Sequence, residues 1–274
     1  MNSGDTFSLK GKVAIVTGAI GLLGKHHCTA LAEAGASVVV TDMEPTAVVS
    51  FAAELTSRYS VSALGLSADI TRREEVDRLR DGVLKRFGHI DILVNNAAVN
   101  DMFENPVSAA EQSKFENYPL HLWQQSLDVN ITGTFLCSQS IGSVMAKAGK
   151  GSIINIASTY GIVAPDQSLY QRADGTQDFY KSVAYPVTKG AIISLTRFLA
   201  AYWGKSGVRA NTLSPGGVEN SQDHEFVESY SRRTPLGRMA EPTDYKGAIV
   251  FLASDASAYM TGANLVVDGG WTAW

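Results

Sequence analysis

The chain has 274 residues, with 23 Lys and Arg against 27 Asp and Glu, a formal net charge of −4. That balance offers no general attraction to nucleic acid or to an anionic membrane surface. Apolar residues make up 45% and charged residues 18%, which excludes a disordered chain and suffices for a large core.

In chain order, short β-branched runs alternate with longer amphipathic stretches. Strands are expected at 13–17, 37–41, 61–66, 90–94, 152–156, 208–213 and 264–267. Helices are expected at 22–34, 46–58, 74–87, 122–148, 185–205 and 243–252, with Gly35 and Gly88 placed to end the first and third. Apolar strands separated by helices predict an α/β fold: one doubly wound parallel sheet of about seven strands, covered by helices on both faces. No linker, charge block or repeat divides the chain, so residues 1–274 are expected to form a single domain. Two polar stretches break the rhythm, near 100–119 and 165–182. Both follow strands at the carboxyl edge, where such sheets bind ligands, and are expected to face the substrate.

Cys28 and Cys137 each lie in an apolar periodic stretch, so no disulfide framework is expected and a reducing, cytoplasmic setting suits the chain. The N-terminal MNSGDTFSLKGK lacks an apolar signal core, and no stretch reaches the roughly 18 uninterrupted apolar residues of a spanning helix. A soluble, unprocessed protein without membrane or nucleic-acid partners is expected. No CxxC, HExxH or calcium-loop pattern occurs, and the adjacent His26 and His27 read as helix residues, so no metal site is expected.

After the first strand comes Thr17-Gly18-Ala19-Ile20-Gly21-Leu22-Leu23-Gly24, leading into a helix. Glycines there let the backbone approach a pyrophosphate, and the helix start supplies unpaired N–H groups and a positive dipole end. The second strand ends at Asp42, about 20 residues on, where an acid accepts hydrogen bonds from the adenosine ribose and repels a 2′-phosphate. The expected cofactor is therefore NAD, the alternative being that Asp42 only caps a turn. Tyr185 and Lys189 stand four apart at a helix start, on one face. A cation beside a phenol favours phenolate and lowers its pKa toward the working range of an acid/base group. Pro186 is compatible with a first helical turn.

This ordered set extends further. Asp69 follows the third strand, Asn95-Asn96-Ala97-Ala98 the fourth, Ser158 the fifth and Pro215-Gly216 the sixth; Asn130 lies in the long helix and Asp268-Gly269-Gly270 near the end. From about Lys10 to the C-terminus the chain resembles the short-chain dehydrogenase/reductases (SDRs), whose fold is Rossmann-like. The resemblance implies a catalytic tetrad of Asn130, Ser158, Tyr185 and Lys189. Tyr185 would exchange the substrate proton, and Lys189 would hold the nicotinamide ribose and depress the tyrosine pKa. Ser158 would stabilise the reacting oxygen, and Asn130 would interrupt its helix and position a proton-relaying water. Cofactor contacts would come from Gly18, Gly21, Leu22, Leu23, Gly24, Asp42, Asp69, Ile70, Asn96, Ala97, Ala98, Pro215, Gly216 and Val218, besides Tyr185 and Lys189. A substrate lid would run near 217–236. Without this company, Ser158 reads equally as a turn cap and Asn130 as a buried helix amide.

The chain departs from the family pattern in three places: Leu22 stands at the middle glycine, Ala98 replaces a glycine, and the Ser158–Tyr185 interval is long. The insertions carry Asn100, Asp101, Asn105, Gln167, Tyr170, Gln171, Arg172, Asp174 and Lys181, suited to a polyhydroxylated substrate. Gln167, Tyr170 and Arg172, with Ser158 and Tyr185, are the expected substrate contacts, and Arg172, Lys181, Arg232 and Arg233 are candidates to meet a carboxylate or phosphate. With the tail Gly269-Gly270-Trp271-Thr272-Ala273-Trp274, these features are similar to the branch acting on sugars, sugar acids and activated sugars. The expected activity is interconversion of a secondary alcohol and a ketone. The alternatives are a 3-oxoacyl-thioester reductase of an acyl carrier protein, or a non-catalytic NAD-binding sensor or scaffold. Family members are usually homotetramers; a homotetramer or homodimer is expected, with Trp271 and Trp274 at a subunit contact.

Overall fold

The computed structural model describes residues 5–101, 106–172, 174–177 and 179–274. Its strands β1 (Val13–Thr17), β2 (Ser37–Asp42), β3 (Ala63–Ser67), β4 (Ile92–Asn95), β5 (Gly151–Ile156), β6 (Val208–Pro215) and β7 (Asn264–Val267) form one sheet ordered β3-β2-β1-β4-β5-β6-β7. Every pairing is parallel. The chain therefore winds outward from β1 in one direction and from β4 in the other, leaving a crevice between their carboxyl ends.

The five inner strands are buried on both faces, as their continuous apolar runs predict, whereas the edge strands β3 and β7 are only partly covered, and the pleat sorts residues between two cores. Ala14 and Val16 of β1 face one core with α1 (Leu22–Glu33), α2 (Pro45–Tyr59) and α9 (Lys246–Ala253). Val13 and Ile15 face the other, with α3 (Arg73–Phe87), α6 (Thr134–Ala148) and α7 (Ala184–Trp203). Cys28 belongs to the first core and Cys137 to the second, so the sheet itself separates the two thiols.

Local chemistry sets the element ends. Gly35 follows α1 at φ +96°, a conformation that favours glycine. Ser60 adopts the left-handed conformation after α2, and β3 begins at Ala63 rather than 61, in register with Val38. The stretch expected as one helix over 122–148 is divided. A short α5 (Leu120–Ser126) passes through a π-helical turn, Leu127–Gly133, into α6. Helix α4 (Pro106–Ser113) and α8 (His224–Arg233) were not expected. The cap of α8 was nonetheless in the sequence: Asp223 accepts the Glu225 N–H at 2.8 Å. Asn105, expected on the substrate side, lies outside the described residues. Among the described residues, no helix is long and apolar enough to cross a membrane.

Candidate active site

A cleft of about 700 Å³ opens along the carboxyl ends of the strands, spanning the crevice between β1 and β4. At one end, α1 starts directly against the turn after β1. Its N-cap, Gly21, offers no side chain to the first-turn N–H groups, which are therefore available to an anion. Gly18 is at φ +61°, and a Cβ there would stand 2.6 Å from Ala97 Cα. A Cβ on Gly24 would stand 2.1 Å from the Gly18 carbonyl oxygen. Gly24 is thus required for packing α1 onto the turn, and it does not line the cleft, whereas Gly18, Gly21, Leu22 and Leu23 do. The Leu22 side chain, at the position where a glycine was expected, is 41% exposed and packs into no core.

The turn is tied to its neighbours through named side chains. Asn96 Nδ2 donates to the Thr17 and Gly18 carbonyls at 3.0 and 2.9 Å, and the Asn96 and Ala97 N–H groups donate to Thr17 Oγ1, each at 3.1 Å. Asp42 Oδ2 accepts the Ile20 N–H at 3.0 Å, and Oδ1 accepts the Met43 N–H at 2.8 Å. Its carboxylate thus stands at the cleft wall with acceptor capacity to spare. Asp69 and Ile70 line the same end, as do Ala97 and Ala98; Pro215, Gly216 and Val218 border the middle. These residues fit an adenine dinucleotide: an uncapped helix start, a glycine turn without room for side chains, and an acid at the end of β2.

Beyond that point, Tyr185 and Lys189 project from the first turns of α7. Lys189 is 4% exposed, and its Nζ donates to the Ile156 carbonyl at 2.9 Å, 5.6 Å from the Tyr185 ring centre. Burial lowers its pKa to about 8. Burial likewise pushes the Tyr185 phenol above its ordinary value, opposed by hydrogen bonding from Ser158. Ser158 Oγ also caps the turn Thr159–Gly161, accepting the Tyr160 N–H at 3.2 Å.

Asn130 lies beneath the cleft, not on its wall. Its Oδ1 accepts the Val99 N–H at 2.8 Å, and its Nδ2 donates to the Val99 carbonyl at 3.0 Å and to Thr188 Oγ1 at 3.1 Å. The helix interruption expected around it is present as the π turn. The Asn130 side-chain amide joins the loop after β4 to α7.

On the substrate side, Tyr170 lines the cleft and Gln167 and Arg172 do not. Gln167 instead braces the insertion: its side-chain oxygen accepts the Lys181 N–H at 2.8 Å, and its Nε2 donates to the Lys181 carbonyl at 3.1 Å. Arg233 pairs with Asp166 at 2.9 Å and Arg232 with Glu228 at 2.8 Å, both away from the cleft. The tail also differs from expectation. Trp271 is buried within its own chain, stacked on Tyr230 at 4.1 Å between ring centres. Together with Leu169 and Met239 these rings form a small core that joins the insertion, α8 and the C-terminus. Trp274 is exposed.

A family model described as enoyl-(acyl carrier protein) reductase matches residues 18–272. The chain belongs to the short-chain dehydrogenase/reductase family. Its relatives include a D-threitol dehydrogenase of Mycolicibacterium smegmatis, 36% identical over 271 residues, covering 97% of this chain and 95% of the relative. A protein named NAD-dependent glycerol dehydrogenase from Listeria innocua is 32% identical over 97% of this chain and 96% of its own. Among solved structures, a gluconate 5-dehydrogenase of Burkholderia cenocepacia in complex with NADP and tartrate superposes with a TM-score of 0.87 at 30% identity, each chain covered 100%. SDRs bind nicotinamide cofactors. The names cover both NAD and NADP, so family membership alone does not choose between them.

Sequence reasoning missed Tyr160 and Met239 among the wall residues of this SDR cleft, and expected the segment of Phe226 and Tyr230 only as a lid near 217–236 without naming these rings. Tyr160 lies two residues beyond Ser158, a signal at hand. Phe226, Tyr230 and Met239 pack in or against the small core around Trp271, a contact that no local pattern announces.

Proposed function

We propose that this SDR is an NAD(H)-dependent dehydrogenase that interconverts a secondary alcohol and a ketone on a polyol or sugar-acid substrate. The observation that carries the reading is the convergence of Ser158, Tyr185 and Lys189 on one cleft wall that continues into the glycine turn. A bound nicotinamide would supply the hydride acceptor for the carbinol carbon in oxidation and the hydride donor in reduction. Tyr185 takes the hydroxyl proton in oxidation and returns it in reduction, and Ser158 donates a hydrogen bond to the reacting oxygen. Lys189 keeps positive charge near the phenol, and Asn130 acts as a positioning residue beneath them. Asp42 supports NAD: its free lone pairs suit ribose hydroxyls, and its charge opposes a 2′-phosphate. The substrate class follows the threitol, glycerol and gluconate relatives and the polar insertion, with residues 217–236 as the lid. Self-association as a dimer or tetramer belongs to the same reading, supported by exposed Phe198 and Tyr202 stacked on α7 and exposed Phe135 on α6.

The test follows NAD reduction across polyols, aldonates and uronates with Tyr185→Phe as the blank. Wild-type turnover should fall by about 10²- to 10⁴-fold in the variant while NADH binding persists. Retained activity in Tyr185→Phe, or silence of the wild type across the panel, refutes the assignment.

A further inference from the structure

Charge is segregated along the cleft. Among its described lining residues, the carboxylates are Asp42 and Asp69, at the glycine-turn end, and the ammonium groups are Lys181 and Lys189, at the Tyr185 end. Lys189 is engaged by the Ile156 carbonyl. Lys181 stands at the end of the long insertion, before α7 begins at Ala184. Both polar groups of its backbone are clamped by the Gln167 side chain. Its Nζ lies 4.6 Å from the Tyr185 ring centre, nearer than that of Lys189, and donates to Asn100 Oδ1 at 2.6 Å. Both insertions thus contribute to holding one cation beside the reacting group.

An ammonium has three donors and Asn100 takes one of them. Asn100 is neutral and brings no counter-charge. The nearby Asp101 favours the charged lysine through space, but its carboxylate also receives the Tyr118 hydroxyl. Burial outweighs Asp101 and lowers the lysine to about 8. An incoming anion would offset that desolvation, whereas a neutral polyol would leave it standing. Arg232 and Arg233 cannot serve this purpose, being paired with Glu228 and Asp166.

We infer that Lys181, oriented by Asn100 and Gln167, binds a substrate carboxylate, so that this SDR prefers hydroxy acids of the aldonate or aldarate class over neutral polyols. The inference rests on the dehydrogenase reading of the cleft and narrows its substrate. The test is calorimetric titration of two acid and polyol pairs, D-gluconate with D-sorbitol and tartrate with threitol, into the NAD-loaded protein. The proteins compared are wild type, Lys181→Met and Lys181→Arg. Wild type should bind at least one acid more tightly than its polyol. Lys181→Met should weaken that acid by about 10- to 100-fold, the span expected for a charge-assisted hydrogen bond. It should leave the polyol and NADH unmoved, and Lys181→Arg should restore most of the loss. Equal losses for acid and polyol, no loss for the acid, or no acid binding by wild type would each overturn the inference. Turnover is read separately. Polyol turnover without acid binding removes the role of Lys181 and keeps the dehydrogenase; Lys181-dependent acid binding without turnover of any substrate does the reverse.

Discussion

Replacing Asn130 with alanine separates two roles for that side chain. As a water-holding relay, it could be removed with little effect on folding. The structure instead ties its amide to Val99 N–H, Val99 C=O and Thr188 Oγ1, at 2.8, 3.0 and 3.1 Å, in a residue 2% exposed. Thr188 Oγ1 still donates to the Tyr185 carbonyl at 2.9 Å after the change, so the loss concentrates on the Val99 peptide. A buried polar group deprived of its partner costs about 1–3 kcal/mol. Two such groups, one end of the peptide being within reach of water, bring the expected loss to about 2–4 kcal/mol. Denaturant unfolding followed by tryptophan fluorescence measures it, and turnover should fall in parallel because Val99 and Thr188 adjoin Asn100 and Lys189. Stability within about 0.5 kcal/mol of wild type, accompanied by a large drop in turnover, would refute the bracing role and restore the relay.

Three further outcomes are expected. Asp42→Ser should weaken NADH by about 10-fold or more, the worth of a charge-assisted hydrogen bond, and strengthen NADPH; equal wild-type affinities for the two cofactors would contradict this. His27 is fully buried with neither ring nitrogen hydrogen-bonded, and burial lowers its pKa from 6.5 to about 3. Its folded pKa is depressed, so the stability it permits is present above pH 6.5 and is lost as pH falls toward 3, at about 1.4 kcal/mol per unit. His27→Leu should flatten that slope, and an unchanged slope would show that other groups set it. Trp271→Ala should cost about 3–5 kcal/mol and raise KM for the substrate while sparing NADH affinity, since its cluster joins the insertion to α8. An unchanged KM would detach that cluster from recognition.

Much of the fold and part of the site can be read locally. The runs at Val13, Ser37, Ile92, Gly151 and Val208 become neighbouring parallel strands because each is largely apolar on both faces of the pleat and separated by a helix-length stretch. Gly18 and Gly21, and likewise Tyr185 and Lys189, are legible because their spacing within one turn or helix already determines their geometry, and Asp42 because it ends the strand that pairs with β1. Gly24 is legible as a glycine but not in its role, since only the approach of the Gly18 carbonyl reveals it as a packing contact. Gln167 was named for substrate, yet its amide closes on Lys181, 14 residues away, and the Asn130 amide reaches Val99, 31 residues away, a partner no local pattern announces.

The sequence alone therefore determined the sheet, the glycine turn after β1 and the Tyr185–Lys189 pair, all set by contacts within one element or by the hydrophobic period of each. Only the tertiary structure decided that Lys181 enters the cleft while Arg172 does not, that Trp271 packs inward on Tyr230, and that α8 closes over Tyr170. Those outcomes follow from loop segments brought together across tens of residues, where burial and pairing, not propensity, select the side chain that faces the ligand.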